Sequence, residues 1–153
     1  MTRYFAYGSN MSTALMKRRC PSAVAIDTAR IDGWRFFIMA AGFASIAPAN
    51  GSVVHGVLWW LAPRDLAALN AYEGIEGGLY VRRTLPVRRQ GRRHESALVY
   101  VGTSPLAGRP RPAYQWGLAA AARQWQLPAD YVRALERFAP APPSTLLLPE
   151  TVR

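Results

Sequence analysis

Two stretches of this chain combine residue types and spacings that could do chemistry. The first is Tyr4-Phe5-Ala6-Tyr7-Gly8-Ser9-Asn10, an apolar aromatic run that stops at Gly-Ser-Asn. Phe5 and Tyr7 alternate with Tyr4 and Ala6 at the strand period, and a glycine at position 8 permits a sharp turn whose successive backbone N–H groups point outward together. Such a turn is an anion cradle, reinforced by a helix dipole if a helix begins behind it; Ser12 is the expected N-cap, ahead of Ala14, Leu15 and Met16. The plainer reading is a strand-to-helix connection in which Ser9 and Asn10 only satisfy the turn.

The second stretch contains Glu73. Behind Pro63, a residue suited to the first turn of a helix, Leu66, Leu69, Asn70 and Glu73 recur at i, i+3, i+4 and i+7 and share one face, and Gly74 then terminates the helix. Glu73 is therefore expected beside apolar surface at the negative end of a helix dipole. Both effects disfavour the ionised form, raising the pKa towards that of a usable general base. A frayed last turn would instead leave Glu73 in water. Glu76 lies past the helix stop and is expected to be exposed.

The elements that must position these residues read as mostly strands with three or four helices. A helix from about Ser12 to Arg19 ends before Pro21. Strands over Ala23–Ile31 and Trp34–Ala40 are expected on either side of a hairpin turn at Asp32-Gly33. A short strand over Phe43–Ala47, closed by Pro48-Ala49-Asn50-Gly51, precedes a buried strand from Val53 to Leu61. His55, within that last strand, has no Cys, Asp or second His at ligand spacing and reads as a structural histidine. Tyr80–Val87 and Glu95–Val101 form a paired set, and Pro105–Pro112 is a loop. Two amphipathic helices follow, carrying Tyr114, Leu118, Ala121 and Trp125, then Tyr131, Leu135 and Phe138, split at Pro128. A proline-rich tail from position 140 includes Leu146-Leu147-Leu148.

Composition narrows the class. At 153 residues, 50% hydrophobic, the chain suits one domain with its own core, residues 1–153 including the tail at 140–153. The one cysteine, Cys20, excludes an internal disulfide and a cysteine-based metal cluster, and reads as an inert residue at a helix end. The first residues show no order of charged, apolar and small residues typical of a secretion signal, and no apolar run has membrane-spanning length, so a soluble cytoplasmic protein is expected. The net charge is +10, and every basic residue except Lys17 is an arginine. Arg82, Arg83, Arg88, Arg89, Arg92 and Arg93 bracket Gln90-Gly91. Nucleic-acid readers interleave such charge with stacking aromatics, and none stands among these arginines, so a solvated hairpin is favoured over a specific nucleic-acid surface.

Three segments, YFAYGSNM, ALNAYEGIEGGLYVRRTLPV and YQWGLAAAARQWQLPADYVRAL, in that order and at about these separations, resemble the gamma-glutamylcyclotransferase-like superfamily. The specificity of the resemblance lies in the pairing of the Tyr-Gly-Ser-Asn turn with a Glu-Gly that precedes a Gly-x-Tyr strand entry. It implies a small α+β domain, a mixed barrel-like sheet with flanking helices. It implies Glu73 as the catalytic acid/base, Tyr7, Gly8, Ser9 and Asn10 as the substrate-cradling loop, and Tyr80, Tyr100 and Tyr114 as pocket tyrosines. The reaction implied is attack of the α-amine of a small γ-glutamyl compound on its own γ-carbonyl, giving 5-oxoproline and a free amine, with no metal and no cofactor. A γ-glutamylamine-specific relative, and a non-enzymatic basic module binding RNA or an acidic partner, are the alternatives. Neither the released amine nor the oligomeric state is specified.

Overall fold

The computed structural model describes residues 1–138; the proline-rich tail with Leu146-Leu147-Leu148 lies outside the described residues. Its runs of alternating aromatic and branched residues form five strands: β1 (Thr2–Ala6), β2 (Val24–Ile38), β3 (Ala44–Leu61), β4 (Tyr80–Arg88) and β5 (His94–Gly102). They close into a barrel in the order β1-β3-β2-β4-β5. The sheet is mixed because β1 pairs antiparallel with β3, at Tyr4 with Trp59, and parallel with β5, at Tyr4 with Leu98. Closure rests on single pairings, Tyr4 with Leu98 and Arg30 with Arg88, and the inward side chains, including Phe5, Ile31, Ile46, Leu58 and Val99, fill the interior.

The ribbon of β2 and β3 corrects two expectations. Asp32-Gly33 does not reverse the chain and Pro48–Gly51 does not end a strand; β2 and β3 are each continuous and pair from Val24 with Trp60 to Ile38 with Ala44. The pairing shifts between Asp32, opposite Val53, and Trp34, opposite Pro48, so the two dipeptides Asp32-Gly33 and Asn50-Gly51 face one another across one irregularity. Gly33 and Gly51 both take φ of +81° there. Two turn signals in register thus act together as a bulge that bends the ribbon, without reversing either strand. The true reversal is the tight connection over residues 39–43, where the Met39 N–H donates to the Phe43 carbonyl at 2.9 Å and Gly42 takes φ of +94°.

Among the described residues four helices flank the barrel: α1 (Thr13–Arg19), α2 (Pro63–Tyr72), α3 (Pro112–Gln124) and α4 (Ala129–Arg137). Ser12 caps α1, its Oγ accepting from the Leu15 N–H at 3.2 Å. Pro63 and Pro112 open α2 and α3, where a missing N–H costs nothing. Leu118, Ala122, Val132 and Leu135 form the buried seam of α3 and α4, and Gln115 joins the two helices by donating its Nε2 to the Leu135 carbonyl at 2.9 Å. Cys20 is buried at the end of α1, and burial pushes its thiol up to about 11, as suits an inert residue. None of the described helices is long and apolar enough to cross a membrane.

This topology gathers one end of the barrel. The C-terminus of β1, that of its parallel neighbour β5, and the N-termini of the antiparallel strands β3 and β4 all emerge together, which brings Tyr7, Tyr100, Ala44 and Tyr80 to one rim. β1 passes so close to β3 that a Cβ on Gly56 would lie 2.3 Å from the Ala6 carbonyl oxygen. Backbone cannot yield there as a flexible side chain would. Gly56→Ala is therefore expected to lower the denaturant midpoint by an amount equivalent to about 1–3 kcal/mol, the usual cost of overpacking; an unchanged midpoint would mean that β1 is not held at this separation.

Candidate functional site

The rim residues enclose one pocket lined by Tyr4, Tyr7, Gly8, Ser9, Asn10, Ala44, Glu73, Tyr80, Tyr100 and Tyr114. Every residue singled out from the sequence as a site residue is therefore found at the same depression, although Gly8 and Tyr114 are about a hundred positions apart. The chain leaves β1 through Tyr7 into a short 3-10 turn, Ser9–Met11. Its first hydrogen bond runs from the Met11 N–H to the Gly8 carbonyl at 3.0 Å, so the N–H groups of Ser9 and Asn10 stand ahead of the turn's own ladder. Gly8 is hemmed in: a Cβ there would sit 3.4 Å from the Tyr114 hydroxyl and from Ala44 Cβ. The Trp125 indole, from the far end of α3, donates to the Met11 carbonyl at 2.8 Å and pins the turn from behind.

Glu73 caps the C-terminus of α2 with φ of −77°, and Gly74 behind it takes φ of +67°. The Glu73 N–H donates to the Leu69 carbonyl at 2.8 Å, so the last turn is closed and the side chain is held at the pocket. Burial raises its carboxyl from the ordinary 4.5 to about 7, against a smaller opposing pull from the Arg19 guanidinium. Glu76, by contrast, is exposed and absent from the pocket.

The tyrosines are fixed by their own hydroxyls. Tyr7 donates to the Tyr100 carbonyl at 2.6 Å, Tyr80 to the Ala44 carbonyl at 2.6 Å, and Tyr100 to Asn70 Oδ1 at 2.5 Å. The Tyr114 hydroxyl accepts from the Ala44 N–H at 3.1 Å, and the Tyr4 hydroxyl accepts from Asn10 Nδ2 at 3.1 Å. Burial and then the surrounding acidic groups push all five phenols upward, Tyr114 to about 12, so they stay neutral near pH 7.

Arg19 escaped notice in the sequence. From the end of α1 it reaches back to the turn, donating Nη1 to Asn10 Oδ1 at 2.5 Å and to Ser9 Oγ at 3.1 Å, with its guanidinium 3.7 Å from the centre of the Tyr72 ring. A bond across nine residues from the last turn of a helix follows no periodicity, so nothing local announced it. Asn70 shared a helix face with Glu73 and could have been added on that basis; Tyr4 lines the pocket alongside Tyr7, despite its opposite strand parity, because the chain has left β1 by Tyr7. Arg19→Gln is expected to raise the Glu73 pKa further, since a nearby positive charge is lost; titration of the Glu73 carboxyl by carbon NMR would show it, and an unchanged midpoint would remove Arg19 from the site's electrostatics.

The arginine hairpin lies elsewhere. Arg82 and Arg83 line a groove with Arg3 and Trp60, while Arg88 and Arg89 line another with Arg30 and His55; none of them borders the Glu73 pocket. Arg89 pairs with both oxygens of Glu95, at 2.9 and 3.2 Å, and Arg88 with Asp32 at 3.7 Å. His55 stacks edge-on against Tyr131 with ring centres 4.8 Å apart.

Residues 4–118 match the family model described as gamma-glutamyl cyclotransferase, AIG2-like. The chain belongs to this family. The matched span holds both cyclotransferase-like segments that meet in the pocket, the turn after β1 and the end of α2. The gamma-glutamylcyclotransferases of Bos taurus and Homo sapiens are each 29% identical to it over 147 residues, covering 90% of this chain and 78% of theirs. A solved gamma-glutamyl cyclotransferase superposes with a TM-score of 0.85 at 27% identity, covering 97% of this chain and 94% of that one. An uncharacterized human protein superposes with a TM-score of 0.84 at 29% identity, covering 91% and 88%. The α+β barrel with flanking helices is thus the fold of this cyclotransferase family.

Proposed function

We propose that this chain is a cyclotransferase that closes the glutamyl half of a small γ-glutamyl compound into 5-oxoproline and releases the attached amine. The observation that carries this reading is the placement of one half-buried carboxyl, Glu73, with its pKa raised to about 7, in the same tyrosine-walled pocket as the turn residues Gly8, Ser9 and Asn10.

Each step has a group suited to it. The substrate α-amine is protonated near neutrality and is no nucleophile until it loses a proton, which the Glu73 carboxylate accepts. The freed amine attacks the γ-carbonyl carbon, and the carbonyl oxygen becomes an oxyanion that the N–H groups of Ser9 and Asn10 are placed to receive. The ring nitrogen sheds its second proton as collapse breaks the bond to the leaving nitrogen. The leaving nitrogen takes up the proton held by Glu73 and, through the same carboxyl, the one shed by the ring nitrogen, so the amine departs as an ammonium and the carboxylate is restored within one turnover. A pKa near 7 serves both transfers, because the group is then neither too weak a base nor too weak an acid. The neutral tyrosines hold the flexible glutamyl chain folded with amine and carbonyl in contact, which is the entropic part of the barrier.

The reading takes residues 1–153 as one domain working in the cytoplasm without metal or cofactor, and it expects full turnover in excess chelator. Incubation with a γ-glutamyl dipeptide and chromatography of 5-oxoproline tests it directly. The competing binding-module reading draws on arginines that lie away from this pocket and are in part paired to Glu95 and Asp32. Replacing Arg88, Arg89, Arg92 and Arg93 together by Ser is therefore expected to leave turnover within about twofold; RNA or DNA binding that survives physiological salt and vanishes in this variant would favour the other reading.

A further inference from the structure

Beside the tyrosine pocket lies a second cavity of about 130 Å³, lined by Ser9, Phe43, Tyr72, Glu73, Leu79, Tyr80 and Tyr114. The two cavities share Ser9, Glu73, Tyr80 and Tyr114, and they differ in what the remaining walls offer. The first is enclosed by tyrosine hydroxyls and the turn, the second by Phe43, Tyr72 and Leu79. Resting on the cyclotransferase reading above, we propose that this second cavity receives the leaving amine, and that it fits an amino acid with an apolar or aromatic side chain whose carboxylate faces the guanidiniums of Arg19 and Arg111.

The placement follows from the chemistry. One carboxyl must reach both the α-amine of the glutamyl half and the nitrogen of the departing half, so the two halves lie on either side of Glu73. The glutamyl half takes the cavity with the oxyanion donors, which leaves the other for the departing group. The walls then select by polarity. Phe43 stands edge-on to Tyr114 at 5.5 Å between ring centres, and Tyr72 and Leu79 add further apolar surface, which gains from covering an apolar side chain but not a charged one.

Charge selects further. Both aromatic walls carry a guanidinium: Arg19 lies 3.7 Å from the centre of the Tyr72 ring and Arg111 lies 5.7 Å from that of Phe43. Among the described residues neither is within ion-pairing distance of a carboxylate. Arg19 uses Nη1 on the turn and keeps its other donors. Neither guanidinium lines the cavity itself, but two positive charges against its aromatic walls attract the carboxylate of an amino acid and repel the free ammonium of a diamine or polyamine.

Four γ-glutamyl amides separate these effects: those of phenylalanine (ring and carboxylate), phenethylamine (ring alone), glycine (carboxylate alone) and putrescine (ammonium). The expected order of kcat/KM places phenylalanine first and putrescine last. The ring should be worth roughly tenfold over glycine, and the carboxylate about three- to fivefold over phenethylamine, as suits partly exposed charges. Arg111 is exposed, so Arg111→Glu is expected to fold; it should cancel the advantage of phenylalanine over phenethylamine and raise putrescine relative to both. Equal turnover of all four, a preference for putrescine, or a uniform loss in Arg111→Glu would overturn the subsite while leaving cyclisation intact. Failure to release 5-oxoproline from any of the four would overturn the cyclotransferase reading, and the subsite with it.

Discussion

Glu73→Gln is expected to reduce 5-oxoproline formation by about 10²- to 10⁴-fold, the range that positioned acid–base groups contribute, while leaving the barrel folded. The amide keeps the shape and length of the carboxyl but cannot take a proton from the substrate amine. Because the lost step lies in the transition state, kcat should fall with little change in KM. Circular dichroism of the variant checks that the fold survives. Substantial activity remaining in Glu73→Gln would move the base elsewhere, and Glu76, exposed and outside the pocket, offers no replacement.

The same side chain should tie activity and stability to pH in opposite directions. Attack needs Glu73 ionised, so kcat/KM is expected to fall about tenfold per unit as pH drops below about 7. Stability runs the other way. The folded-state pKa of about 7 lies above the ordinary 4.5, so the native protein holds this proton where the unfolded chain has released it. The contribution to stability is complete below 4.5 and is lost as pH rises to about 7, on the order of 3 kcal/mol in all. Above that window Glu73→Gln, which has no charge to bury, should be more stable than the parent by up to that amount. Denaturant midpoints for both proteins at pH 5 and pH 8 check the sign. A parent that gains on Glu73→Gln as pH rises would show a carboxylate stabilised by its surroundings, contrary to the burial seen here.

Much of this arrangement was legible in the chain because it depends on local signals. Ser12 before α1, Pro63 at the start of α2 and Gly74 after Glu73 are boundary residues whose chemistry acts within one turn, and each stands where it was expected. The periodic spacing of Leu66, Leu69, Asn70 and Glu73 likewise placed the carboxyl on the inward face without reference to any other part of the chain. What could not be read is what depends on pairing across distance. Asp32-Gly33 is a hairpin signal in isolation and becomes a bulge only because Asn50-Gly51 lies opposite it. Arg19 is an ordinary basic residue at a helix end until the turn at Ser9 and Asn10 folds back to meet it. The rim itself, where Ala44, Tyr80 and Tyr100 meet the turn, exists only once the barrel has closed.

The central claim is that Glu73 drives ring closure with the substrate's own amine as nucleophile. The most direct test is to incubate the protein with a γ-glutamyl dipeptide in ¹⁸O-labelled water and examine the products by mass spectrometry. Ring closure predicts 5-oxoproline free of solvent oxygen, together with the released amino acid, and predicts neither from Glu73→Gln. Glutamate carrying ¹⁸O in its γ-carboxyl would show that water is the nucleophile and would contradict the account.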